Sequence, residues 1–64
     1  MQRLTASERL PGGITVYWEE KGEEMEASFS FMELIDRRIN SLDLLEYPKK
    51  YMYDEDSGAL ILKP

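Results

Sequence analysis

The clearest alternation of apolar and polar positions lies in ITVYWEEKGEEMEASF, which begins at Ile14. A two-residue turn at Lys21 and Gly22, or a four-residue EKGE loop with the same pairing, sets Glu20 opposite Glu23, Glu19 opposite Glu24, Trp18 opposite Met25 and Tyr17 opposite Glu26. Further out, Val16 faces Ala27, Thr15 faces Ser28 and Ile14 faces Phe29. Successive strand residues point to opposite faces. One face of this hairpin is therefore wholly apolar: Ile14, Val16 and Trp18 against Met25, Ala27 and Phe29. The other carries Thr15, Tyr17 and Glu19 against Glu24, Glu26 and Ser28, and is polar apart from Tyr17. A slip of one residue mixes the faces, so the pattern fixes the register. Gly22 supplies the positive φ of a tight hairpin turn.

The period then changes. Ser30 and Glu33 have the spacing of a capping box ahead of an apolar run. Phe31, Ile35, Ile39 and Leu42 form a stripe at helical spacing, flanked by Met32 and Leu34. Glu33 and Arg37 stand four apart, in the favourable order for an ion pair. Asn40 and Ser41 are poor helix-interior residues, so the helix is expected to stop or kink there, and LDLLEY adds a further turn or two before Pro48. At the end of the chain, two apolar-rich runs flank an acidic turn over residues 54–58, reading as a second hairpin or a strand with a short return. Before the first hairpin, residues 1–13 are mixed in polarity and meet the breaker PGG. They read as a flexible N-terminal arm with one helical turn near Thr5 to Arg9. The expected fold is α+β: a small antiparallel sheet, β-β-α-β-β or β-β-α-β, with one helix packed on one face. Residues 14–64 form the single domain.

Composition narrows the chemistry. The chain has 64 residues, 42% hydrophobic and 33% charged, with no cysteine and no histidine. The commonest general base and the strongest nucleophile are thus both missing. PGG has neither the spacing nor the Lys-Ser/Thr of a phosphate loop. A non-enzymatic protein without a cofactor is expected. Asp54 and Asp56 in DEDSG are the weak candidates for a metal. They start like a calcium loop, but glycine falls one position early and the loop's final glutamate is absent. No apolar run is long enough to span a membrane, and MQRLTASERLPGG lacks the apolar core of a signal peptide. With no cysteine, a cytoplasmic location is expected.

The net charge is −5, and its distribution matters more than its sum. YWEEKGEEME holds five glutamates against one lysine. Phosphate contacts need clustered Lys and Arg, which disfavours direct nucleic-acid binding. Charge of one sign guards strand edges and keeps a small protein soluble. Glu19 opposite Glu24 is nevertheless unfavourable to the hairpin itself, and a partner of opposite sign gives that cost a purpose. The candidate partner-binding residues are Tyr17, Trp18, Glu19, Glu20, Glu23, Glu24 and Glu26. In length, acidity and β-β-α order, the chain resembles small acidic phage-encoded inhibitors of host nucleic-acid enzymes, some of which act by DNA mimicry. That likeness assigns no role to any residue. It implies an inhibitor or DNA mimic occupying the basic surface of a nucleic-acid-binding protein. The rival expectation is a homodimeric structural or regulatory accessory protein. It would associate through Tyr51, Tyr53 and Ile61 or through the helix, and the acidic hairpin would serve solubility alone.

Overall fold

The computed structural model describes residues 1–62. The first predicted hairpin forms from β3 (Gly13–Glu20) and β4 (Glu23–Ser30). Its register matches the expected pairing residue by residue, from Ile14 opposite Phe29 to Glu20 opposite Glu23. Lys21 and Gly22 both take positive φ (53° and 82°), as the twist of a two-residue hairpin demands. Ile14, Val16, Trp18 and Phe29 are buried on the inner face. Met25, expected beside Trp18 in the core, is exposed near the hairpin tip.

The N-terminal residues depart from expectation. In place of an arm with a helical turn, they form β1 (Gln2–Arg3) and β2 (Ala6–Leu10). Pro11 and Gly12 make the turn by which β2 pairs antiparallel with β3. Between β1 and β2 the chain passes from one sheet to another: Leu4 N–H donates to the Tyr51 carbonyl at 3.1 Å, and Thr5 N–H to the Tyr17 carbonyl at 2.8 Å. Leu4 is only 1% exposed and belongs to the core. Gly13 allows the next strand to approach, because a Cβ there would stand 2.0 Å from the Phe29 carbonyl oxygen.

The single expected helix is two short ones, α1 (Phe31–Asp36) and α2 (Ser41–Glu46). The Ser30 and Glu33 capping box is complete: Ser30 N–H donates to Glu33 Oε1 at 3.0 Å and Glu33 N–H to Ser30 Oγ at 3.1 Å. The first of these bonds is the main cause that holds the Glu33 carboxyl below its ordinary range. α1 stops because Arg38 adopts φ 59°. Arg38 N–H then bonds the Ile35 carbonyl and Ile39 N–H the Leu34 carbonyl, both at 2.9 Å. These are the paired bonds of a Schellman end, with arginine where glycine usually sits. Asn40 opens α2 by accepting from Leu42 and Asp43 N–H. The break shifts the helical phase. Leu34 and Leu44 are buried, whereas Ile35 and Leu42 of the expected stripe are 68% and 71% exposed. Arg37 forms no ion pair with Glu33. It donates to the Gly58 carbonyl at 2.9 Å and lies over the Phe29 ring.

A 3₁₀ turn (Pro48–Lys50) leads into β5 (Tyr51–Asp54), which pairs antiparallel with β6 (Ala59–Leu62). The fold is α+β, but with two antiparallel three-stranded sheets, β2-β3-β4 and β1-β5-β6. Tyr53 joins them by stacking on Trp18 at 4.2 Å between ring centroids. The helices cover the same inner side: Ser7 Oγ, inward on β2, lies within hydrogen-bond distance of the Leu44 and Leu45 carbonyls. One core cluster thus takes residues from both sheets and both helices. No helix among the described residues is long and apolar enough to cross a membrane.

Candidate protein-binding face

The outward side of β2-β3-β4 collects the charge. Its cross-strand rows run Ala6–Tyr17–Glu26 and Glu8–Thr15–Ser28, with Glu19 opposite Glu24 beyond them. Glu8, Glu19, Glu24 and Glu26 are all exposed. No Lys or Arg holds an outward position on these three strands. Glu24 and Glu26 lie about 6.8 Å apart along their strand, and Glu19 and Glu24 have Cβ atoms about 4.5–5.5 Å apart. Tyr17 stands in the middle, half-buried, and its hydroxyl donates to Glu8 Oε1 at 3.0 Å. That hydrogen bond is the first cause of a raised Tyr17 pKa. Partial desolvation follows, then the negative charges of Glu8, Glu26 and Glu24. The phenol therefore registers a negative field from both neighbouring strands. In the row behind it, Thr15 Oγ1 and Ser28 Oγ share a hydrogen bond of 2.8 Å.

The structure brings together Tyr17, Glu19, Glu24 and Glu26 from the expected set and adds Glu8. The signal for Glu8 was present in the sequence: a two-residue Pro-Gly turn would have set it opposite Thr15, on the same side as Tyr17. Glu23 is exposed at the tip beside the turn. Trp18 is no surface anchor. It faces inward at 4% exposure, and its Nε1 has no hydrogen-bond partner among the described residues. Glu20 also leaves the set. It is half-buried on the inner side, where its carboxyl meets Glu55 of the β5–β6 turn. The close approach of the Glu55 carboxyl and then desolvation raise the Glu20 pKa, and Glu20 Oε1 is buried with no hydrogen-bond partner among the described residues. Glu55 moves down through its closeness to Glu20, with the Gln2 amide and the N-terminal ammonium also beside it.

The acidic turn behaves differently. Asp54 Oδ1 accepts from Asp56 N–H at 3.1 Å and Oδ2 from Ser57 Oγ at 3.0 Å, so the turn's own donors occupy its carboxylate. Asp56 is exposed. No group of three or more His, Cys, Asp or Glu that could hold a metal ion occurs among the described residues. The tyrosines of the expected dimer surface are drawn inward. Tyr51 is buried with its hydroxyl on Asp43 Oδ2 at 2.8 Å, and Tyr53 is half-buried in the stack on Trp18. Ile61 and Leu62 remain exposed.

No protein-family model matches the chain, and no curated protein or solved structure matches it either.

Proposed function

We propose that this chain is a non-enzymatic protein-binding module whose outward β2-β3-β4 face docks on a basic protein surface, in the cytoplasm. The partner class is a nucleic-acid-binding protein, and the module acts as an inhibitor by occupying the surface that otherwise grips phosphates. The observation that carries this reading is charge of a single sign. Four exposed glutamates surround one tyrosine with no cation among the outward positions. Such a surface gives association rate and register to a basic partner, and tyrosine is enriched where interfaces concentrate their energy. The test is capture of partners from native host extract at low salt, elution by salt, and competition with duplex DNA. Displacement of the captured protein by DNA supports the reading. Retention that is indifferent to both salt and DNA overturns it.

A second reading has its own observation. Met32, Ile35 and Leu42 are 70%, 68% and 71% exposed on the helical side, which favours a homodimer with an accessory role and an acidic face that serves only solubility. Sedimentation equilibrium separates the two: a monomer that still captures a basic protein excludes the second.

A further inference from the structure

β4 is an outer strand of its sheet, and no described backbone group pairs with its free side. The direction of its backbone groups follows from β3. The Tyr17 carbonyl accepts from Thr5 N–H on the β2 side, so Tyr17 turns its backbone away from β4. The Tyr17–Glu26 pair is therefore of the non-hydrogen-bonded type, and alternation gives Glu24 and Ser28 the same type. The N–H and C=O groups of Glu24, Glu26 and Ser28 point out of the open edge. The run is paired to β3 without a gap, contains no proline, and is exposed at each of these three residues. Their side chains lie on the acidic face. On the inner side, Met25 is exposed and Ala27 is half-buried at the same edge.

We propose that an extended segment of the basic partner adds to β4 as a fourth strand, with Lys or Arg at alternate positions beside Glu24 and Glu26. Apolar residues between them extend the inner face past Met25 and Ala27. Main-chain hydrogen bonds supply affinity and alternate side chains supply specificity in this mode of recognition. A second copy of this chain is the wrong occupant. Antiparallel β4–β4 pairing centred on this segment brings glutamate against glutamate, and like charges across strands are repulsive. The inference rests on the basic-partner reading and makes it specific.

Amide hydrogen exchange on the full chain tests it, at low salt, with a capped synthetic peptide of alternating lysine and valine. A capped control has the same composition with the two residues in separate blocks. The alternating peptide should slow exchange at Glu24, Glu26 and Ser28 by about tenfold, leaving Met25, Ala27 and Phe29, already paired to β3, unchanged. Glu26→Pro removes one outward N–H without touching the β3 ladder. It should weaken the alternating peptide by roughly tenfold, whereas Glu26→Gln retains the amide protection pattern. Should Glu26→Pro fail to fold, exchange in the unmodified chain still decides. Equal protection by both peptides, or no binding of either, overturns strand addition. Concentration-dependent protection without peptide also overturns it, in favour of a second copy. Binding that perturbs Tyr17 but slows no β4 amide places the partner on the face alone, and the broader reading then survives while strand addition does not.

Discussion

The two hairpins use their carboxylates in opposite ways. Around β5–β6, Asp54 in the turn and Asp43 of the neighbouring α2 have donors. Asp54 is bonded within its own turn, and Asp43 receives the Tyr51 hydroxyl and the Lys50 ammonium, the latter at 3.1 Å. These two bonds lower the Asp43 pKa, that from Tyr51 most. Burial, then the hydrogen bond to Asp43, pushes the Tyr51 hydroxyl up to about 12. On the outward side of β2-β3-β4, only Glu8, on β2, has a protein donor among the described residues, and Glu19 stands against Glu24 without one. The contrast separates two kinds of acidic residue. Asp54 and Asp43 tie parts of the fold together through their donors, whereas Glu19 and Glu24 crowd one another at a cost to the hairpin.

The two hairpins meet at Trp18 and Tyr53, where substitution has the largest expected effect. Trp18→Ala removes the stack on Tyr53 and should cost about 3–5 kcal/mol, read as a lower denaturant midpoint and loss of the tyrosine-side near-ultraviolet signal. Gly13→Ala forces a Cβ against the Phe29 carbonyl and should cost about 1–3 kcal/mol, measured in the same way. Tyr51→Phe deletes the hydroxyl on Asp43 and should cost about 1 kcal/mol. Glu19→Lys reverses one member of the crowded pair. It should stabilise the hairpin by about 0.2–1 kcal/mol while weakening capture of a basic partner. A change that lowers both stability and capture would place Glu19 among the residues that hold the fold.

The Glu20–Glu55 pair gives the comparison a pH dependence. Glu20 has a raised folded pKa, so its contribution is complete below its ordinary value of 4.5 and is lost as pH rises through the raised value. Glu55 is lowered, so its contribution is lost as pH falls through its depressed value. Lys21 and the N-terminus oppose the rise at Glu20, and desolvation, then Asp54, opposes the fall at Glu55. The contact between the β3–β4 tip and the β5–β6 turn should be strongest in a mildly acidic window and weaken toward neutral pH. Denaturant midpoints measured across that range should lose the decline in Glu20→Gln.

The long hairpin was legible because its period of two extends over eight-residue strands and a lysine-glycine turn. A one-residue slip there would have exposed the whole apolar face. The N-terminal strands were hidden because the chain changes sheet at Leu4 and Thr5. No sustained alternation survives that bend, and Leu4 alone carries the deep burial. Within α1 the core takes Leu34 and leaves Ile35 outside, and beyond it the helix phase was lost at Arg38, which ends α1 in a left-handed conformation that its side chain does not announce. The acidic face was legible as far as the hairpin supplied it, through Tyr17, Glu19, Glu24 and Glu26. Glu8 required recognising Pro11 and Gly12 as a hairpin turn. Glu20 required knowing that a second turn would lie against its inner side.

Outward glutamates that serve a basic partner must make its binding depend on their charge and on salt. The most direct test of that dependence is calorimetric titration of the captured partner, at low and at physiological salt, into the unmodified chain and a Glu19, Glu24 and Glu26→Gln variant. Affinity for the unmodified chain should fall by about tenfold or more across that range, and the variant should bind weakly with a much flatter salt dependence. Equal affinity and equal salt dependence for the two chains would contradict this role and leave the glutamates as a solubility device.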